Sequence, residues 1–293
     1  MNKTFLGRLR YLLTLVPYKL LDPLYVFLDR QFIRRSRNIR LIPAESDRRG
    51  GKYSYVEWGH VVGIFQTLIM LHLERKEGNA ILDVGSGTGL LSIASEPFIG
   101  NGGRYFGIDV MARDVNFCRR HFDPQRYHFE HLDAFNAEYS PDQSDRLPWS
   151  AVDTEAFDLV ISVSVWTHFN EEDGRFYFRE VARALKPGAK AIISFFILDE
   201  VYEESLSRRG AGQGRFHSTA QRDWIFDTPA YGSDAWFCTK WSKVPEAAIG
   251  VTSAGLERLL ADSGLRLLQH YQGNWKEAPG VYFQDVLVFE KPQ

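Results

Sequence analysis

Apolar positions change their rhythm along this chain. In residues 1–40, Leu6, Leu9, Leu13, Val16 and Leu20 recur at helical spacing, interrupted by Pro17 and Pro23. From residue 80 onward, short apolar runs alternate with amphipathic stretches, the pattern of strands and helices taking turns in a parallel sheet. The runs 80–84, 104–109, 127–133, 157–163 and 189–196 predict five strands. A helix starts near Trp58, another at Leu90, and 174–185 predicts a third that stops at Lys186-Pro187-Gly188. Residues 198–251 show no period; 253–263 then predicts a helix, and 265–271 with 281–289 a closing strand pair. The expected fold is α/β: a doubly wound, mostly parallel sheet of seven strands with helices on both faces. Residues 1–50 are expected as a basic amphipathic helical extension, 51–293 as the main domain, and 198–251 as an insertion within it.

The first strand runs into Asp83-Val84-Gly85-Ser86-Gly87-Thr88-Gly89. Glycines at every second position let the backbone turn sharply and approach a ligand. Dinucleotide sites use Gly-x-Gly-x-x-Gly, and position 90 here is Leu; the lysine of a nucleotide-triphosphate loop is missing too. A second strand ends twenty residues later at Asp109, placed to accept ribose hydroxyls, and a third ends at His131-Leu132-Asp133-Ala134. Helix capping is the plainer alternative for either carboxylate. The fourth strand exits through Ser162-Val163-Ser164-Val165-Trp166-Thr167-His168.

These segments resemble class I S-adenosylmethionine-dependent methyltransferases, and the fourth-strand exit is similar to a bacterial small-molecule subgroup with Ser-Val-Phe-Thr-His there. The likeness covers roughly residues 45–291, including Asn136 with Tyr139 and the ending Gln284-Asp285-Val286-Leu287-Val288. Trp166 replaces the usual Phe, and Ala189 the second Gly after the fifth helix. The resemblance implies a seven-stranded Rossmann-like sheet with its last strand antiparallel, residues 198–251 as an acceptor lid, S-adenosyl-L-methionine as cofactor and S-adenosyl-L-homocysteine as product. It implies cofactor contacts from Asp83, Gly85, Ser86, Gly87, Gly89, Asp109, Val110, Asp133, Ala134 and Ser164, with Asp133 meeting the adenine amino group and the next backbone N–H the ring. The implied activity is methyl transfer to a small-molecule or glycan-type acceptor, chiefly at oxygen. His168 is the expected general base; orienting its own loop is the alternative role. Asn170-Glu171-Glu172-Asp173 reads as a helix start. Trp166, Trp224 and Trp236 are expected at the acceptor, the last two within an aromatic-rich insertion that equally suits a private core. Arg48 or Tyr53 is a candidate for the methionine carboxylate. A non-catalytic cofactor-binding or scaffold protein and an NAD-dependent oxidoreductase are the alternatives.

Composition narrows the partners. The net charge of −2 in 293 residues argues against a dedicated nucleic-acid binder, and the fourth motif lacks the Asn/Asp-Pro-Pro-Tyr/Phe and Pro-Cys pairs of base methylation. Cys118 and Cys238 have no framework or ligand spacing, so no metal site is indicated and a reducing, cytoplasmic setting is expected. Residues 1–40 hold nine Lys or Arg against Asp22 and Asp29. That excess suits either packing on the domain or a second subunit, or peripheral contact with an anionic inner membrane face and a glycolipid acceptor. No apolar run reaches the roughly 20 residues needed to span a bilayer. The oligomeric state is not encoded in any recognisable pattern.

Overall fold

The computed structural model describes residues 41–44, 47–48, 54–134 and 146–293. The basic extension over residues 1–40, Tyr53, Asn136 and Tyr139 lie outside the described residues. Among those described, no helix is long and apolar enough to cross a membrane.

Eleven described strands form two sheets. The larger takes β1 (Ala80–Val84), β2 (Arg104–Asp109), β3 (Tyr127–His131), β4 (Phe157–Ser162), β5 (Leu185–Phe195), β10 (Arg266–Tyr271) and β11 (Asp285–Glu290), in the order β10-β11-β5-β4-β1-β2-β3. The first five are mutually parallel, and β11 runs antiparallel to both β5 and β10. This is the expected seven-stranded sheet. Ile81, Leu82, Leu159, Val160, Ile161 and Ile192 are fully buried, as strands covered on both faces require.

The helices are α1 (Tyr55–His72), α2 (Leu90–Ile99), α3 (Ala112–His121), α4 (Glu171–Ala184), α5 (Glu200–Leu206) and α6 (Ser253–Ser263). Strand order reverses between β3 and β4. Right-handed crossovers therefore put α2 and α3 on one face and α4 on the other. Helix α1 packs beside α2, and α6 beside α4. Side-chain caps fix the helix starts: Ser54 accepts the Glu57 N–H, Asn170 the Asp173 N–H and Thr252 the Gly255 N–H, at 3.0–3.1 Å. Gly264, left-handed at φ 71°, ends α6.

Several boundaries shift from the sequence expectation. Helix α4 ends at Ala184, and β5 already begins at Leu185, because Phe157 of β4 pairs with that residue. The segment that shows no period is itself a sheet. Strands β6 (Ile197–Leu198), β7 (Phe226–Pro229), β8 (Trp236–Thr239) and β9 (Ile249–Thr252) align as β6-β9-β8-β7. Strands of two to four residues are too short to reveal an alternation.

Candidate functional site

The reversal point of a doubly wound sheet leaves a crevice beyond the carboxyl ends of the strands, here between β1 and β4. A cavity of about 940 Å³ opens there. One part of its wall is main chain. Gly85, Gly87 and Gly89 have φ of 78°, 49° and 93°, a region that favours glycine. A Cβ on Gly85 would lie 2.2 Å from Val165 Cγ2, so the glycine turn and the β4 exit interlock. Ser164, also left-handed at φ 59°, turns that exit. Its N–H donates to Ser194 Oγ at 2.8 Å, and its hydroxyl donates to Gln284 Oε1 at 3.1 Å.

Asp109 joins the β1 and β2 turns. One carboxylate oxygen accepts the Gly87 N–H and the other the Met111 N–H, each at 2.7 Å. Burial raises its pKa to about 6, against the pull of those two bonds. Gly107, two strand residues earlier, makes room for the turn: a Cβ there would lie 2.9 Å from Ser86 Cβ.

The cavity wall brings together Gly85, Ser86, Gly87, Asp109, Val110 and Ala134 from the cofactor set. Ser164, His168 and Trp224 also line it. Asp133 is exposed between the wall residues Leu132 and Ala134. Asp83 and Gly89 stand off the wall. Asp83 is fully buried, accepts a hydrogen bond from the Tyr105 hydroxyl, and is pushed up to about 8 chiefly by burial. Gly89 caps α2, where a Cβ would meet the Phe122 ring at 2.5 Å. These two residues support the turn from behind.

Two of the three tryptophans are corrected. Trp166 is 1% exposed, its indole set among Phe169, Phe178 and Phe195 with Nε1–H donating to Gly174 O at 3.3 Å. Trp236 is fully buried between α4 and α6, where a Cβ on Gly174 or Gly255 would come within 3.6 or 3.0 Å of it. The structure places both in the core and away from the acceptor space, because large apolar rings beside a helix pair gain more from burial than from lining a wet wall. Arg48 also stands off the wall, its Nε–H donating to Pro43 O at 3.0 Å.

His168 ends a single 3₁₀ turn, Trp166–His168, after β4. Its Nδ1 lies 2.7 Å from Glu246 O. A carbonyl only accepts, so Nδ1 carries the proton and Nε2 is the basic nitrogen. Burial lowers its pKa below the usual imidazole value, against the Glu246 bond, which keeps the ring neutral near pH 7.

Sequence reasoning missed Trp149, Thr167, Phe196 and Phe283, all wall residues. The strand-end rule signals Phe196, which follows β5 directly; nothing local marks the others. Trp149 stacks on Tyr177 at 5.8 Å and 12°. The wall includes buried polar atoms with no partner among the described residues: Ser86 Oγ, Thr167 Oγ1, Trp149 Nε1 and Asn274 Oδ1. Such atoms are costly unless a ligand meets them. Together with a glycine cradle and a carboxylate at the β2 end, they fit a nucleoside-bearing cation such as S-adenosylmethionine.

Comparison with known proteins agrees. Residues 81–188 match the model of a family described as methyltransferase domain. The chain is 36% identical over 55 residues to a probable cobalt-precorrin-6B C(15)-methyltransferase (decarboxylating) of Saccharolobus solfataricus, covering 19% of this chain and 28% of that protein. It is 26% identical over 130 residues to an arsenite methyltransferase of Aquipseudomonas alcaligenes, covering 44% and 36%. The chain thus spans about a third of the length of the curated relatives it matches. A solved S-adenosylmethionine-dependent methyltransferase from Mesorhizobium loti shares the fold, with a TM-score of 0.51 at 18% identity over 76% of this chain and 96% of that one. The matched methyltransferase domain supports S-adenosylmethionine as the cofactor of this cavity, and the Mesorhizobium loti structure shows the shared fold.

Proposed function

We propose that the protein transfers a methyl group from S-adenosylmethionine to the oxygen of a small-molecule or glycan-type acceptor, with His168 as general base. One observation carries this reading: a histidine whose Nδ1–H is held by the Glu246 carbonyl, leaving Nε2 as the basic nitrogen, lines the same cavity as the glycine turn and Asp109. The cofactor supplies a methyl carbon already activated by a sulfonium centre. Asp109 accepts from the ribose hydroxyls, its carboxylate aimed by the Gly87 and Met111 N–H groups. Asp133 at the β3 exit is the side chain proposed to meet the adenine amino group, while the Ala134 N–H donates to Leu132 O at 2.9 Å. His168 Nε2 would take the proton of the acceptor hydroxyl as that oxygen is methylated, so that the acceptor product is neutral. Positioning the two reactants ~3 Å apart supplies much of the rate, and a base adds about 10²–10⁴-fold. The test is turnover: the purified chain with S-adenosylmethionine and a panel of hydroxyl compounds and sugars, followed by S-adenosylhomocysteine release and the acceptor's mass. An acceptor-dependent methylated product supports the reading; cofactor binding with no transfer to any acceptor favours the non-catalytic alternative.

A further inference from the structure

The rest of the cavity wall differs from the cofactor side. Phe196, Trp224 and Phe283 form a ring trio in the wall, with centroids 4.9–5.8 Å apart and Phe283 edge-on to both neighbours. Phe226 and Trp275 back this trio through Phe196, at 5.2 and 5.0 Å. Among the described wall residues there is no Lys or Arg. Two of its carboxylates lie on the cofactor side, Asp109 at the end of β2 and Asp114 in the first turn of α3, and the third, Glu57, sits in the first turn of α1.

The polar groups beside the rings are engaged with one another. Thr219 Oγ1 accepts the Trp224 Nε1–H at 2.6 Å and bonds His217 Nδ1 at 2.7 Å. His217 Nε2 bonds Glu277 Oε1 at 2.8 Å, and the other Glu277 oxygen accepts the Arg215 N–H at 2.9 Å. Gly214 clears space for this imidazole, since a Cβ there would lie 2.2 Å from the ring. Ser164 and Ser194 share Gln284 Oε1. Asn274 Oδ1 is the buried acceptor near these groups without a partner among the described residues.

We propose that the acceptor is an uncharged, planar aromatic hydroxyl compound, its ring held against Trp224 and Phe283. A phosphate or carboxylate would meet no Lys or Arg among the described wall residues. A sugar would bring many hydroxyls to a stretch of wall where His217, Thr219, Trp224 Nε1, Ser164 and Gln284 are already paired, and each hydroxyl buried without a partner weakens binding. A flat ring needs only faces and edges, which three aromatic side chains supply. The inference rests on the methyl-transfer reading only for what happens to the hydroxyl.

The full chain is titrated, with and without S-adenosylhomocysteine, against 2-naphthol, 6-hydroxy-2-naphthoate, phenyltrimethylammonium and methyl glucoside. The expected result is 2-naphthol binding more tightly than the other three by about tenfold. Trp224→Ala is expected to weaken it about tenfold, whereas Trp224→Phe, which keeps a ring face, retains most of the affinity. If Trp224→Ala fails to fold, Phe283→Leu tests the same wall. The proposal is overturned if the anion, cation or glucoside binds as well as 2-naphthol, if 2-naphthol does not bind, or if neither ring variant weakens it. A chain that takes 2-naphthol but not S-adenosylhomocysteine keeps this inference and removes the methyl-transfer reading.

Discussion

On the β1–β2 side of the cavity, the wall from Gly85 to Gly87 and from Asp109 to Met111 is largely backbone, with left-handed glycines and a carboxylate clamped between two N–H groups. On the side formed by Phe196, residues 216–224 and residues 274–284, it is side chain: aromatic rings and a histidine locked by Glu277. The first wall is built by consecutive residues within two strand exits. The second is gathered from three stretches of chain far apart in sequence. A backbone wall can be altered only by breaking the turn, so it suits a ligand that never varies. A side-chain wall can change residue by residue while the sheet stays intact, so it suits the half of the site that sets specificity.

The sharpest way to test this division is to strike where the two walls meet. His168→Ala is expected to lower kcat by about 10²–10⁴-fold while leaving S-adenosylhomocysteine affinity unchanged, read by steady-state kinetics beside calorimetry. In the parent, activity should be present above the His168 pKa and lost as pH falls through it, with the acid limb below the usual imidazole value because burial disfavours the imidazolium. An effect on cofactor affinity equal to that on turnover would erase the distinction between the walls.

On the backbone wall, Asp109→Asn sets an amide NH₂ against the Gly87 or Met111 N–H and removes the charge facing the ribose. S-adenosylhomocysteine affinity should fall about 10- to 100-fold. Gly85→Ala forces a side chain into φ 78° and onto Val165, a cost of roughly 1–2 kcal/mol from the conformation alone. Thermal unfolding should drop by several degrees.

Behind the turn, a pH dependence of stability is expected. Asp83 titrates near pH 8 in the folded chain and near the ordinary carboxylate value when unfolded. Between those values the folded state keeps a proton that the unfolded chain has released, so stability falls as pH rises through that window and stays low above it. Asp83→Asn should therefore raise the melting temperature near pH 8 and change it little near pH 4; equal shifts at both would contradict the buried-acid account.

What the sequence made legible follows the same division. The central strands were legible as apolar runs long enough to show branching and burial, the seven-strand arrangement with its antiparallel end followed from the family resemblance, and Gly85, Gly87 and Asp109 from a contiguous motif at two strand ends. Asp83 and Gly89 belong to that motif, yet pack behind the wall, a distinction of depth that spacing does not encode. The four-stranded sheet of the insertion stayed hidden because its strands are too short for a period. Trp166 and Trp236 illustrate the general difficulty: an indole in a lining and an indole in a core read alike in sequence, and packing between α4 and α6 decided for Trp236. Phe283 and Asn274 reach the cavity through the fold's closing strand connection, a placement set by tertiary structure alone.

The central claim is that the glycine turn and Asp109 form one cofactor site for S-adenosylmethionine. Calorimetric titration of the full chain with S-adenosylmethionine and S-adenosylhomocysteine, with NAD as the control and Gly87→Asp as the paired variant, tests it most directly. The account predicts micromolar binding of both sulfur ligands, none of NAD, and loss of binding in the variant. Binding of NAD in their place, or unchanged affinity in Gly87→Asp, would contradict it.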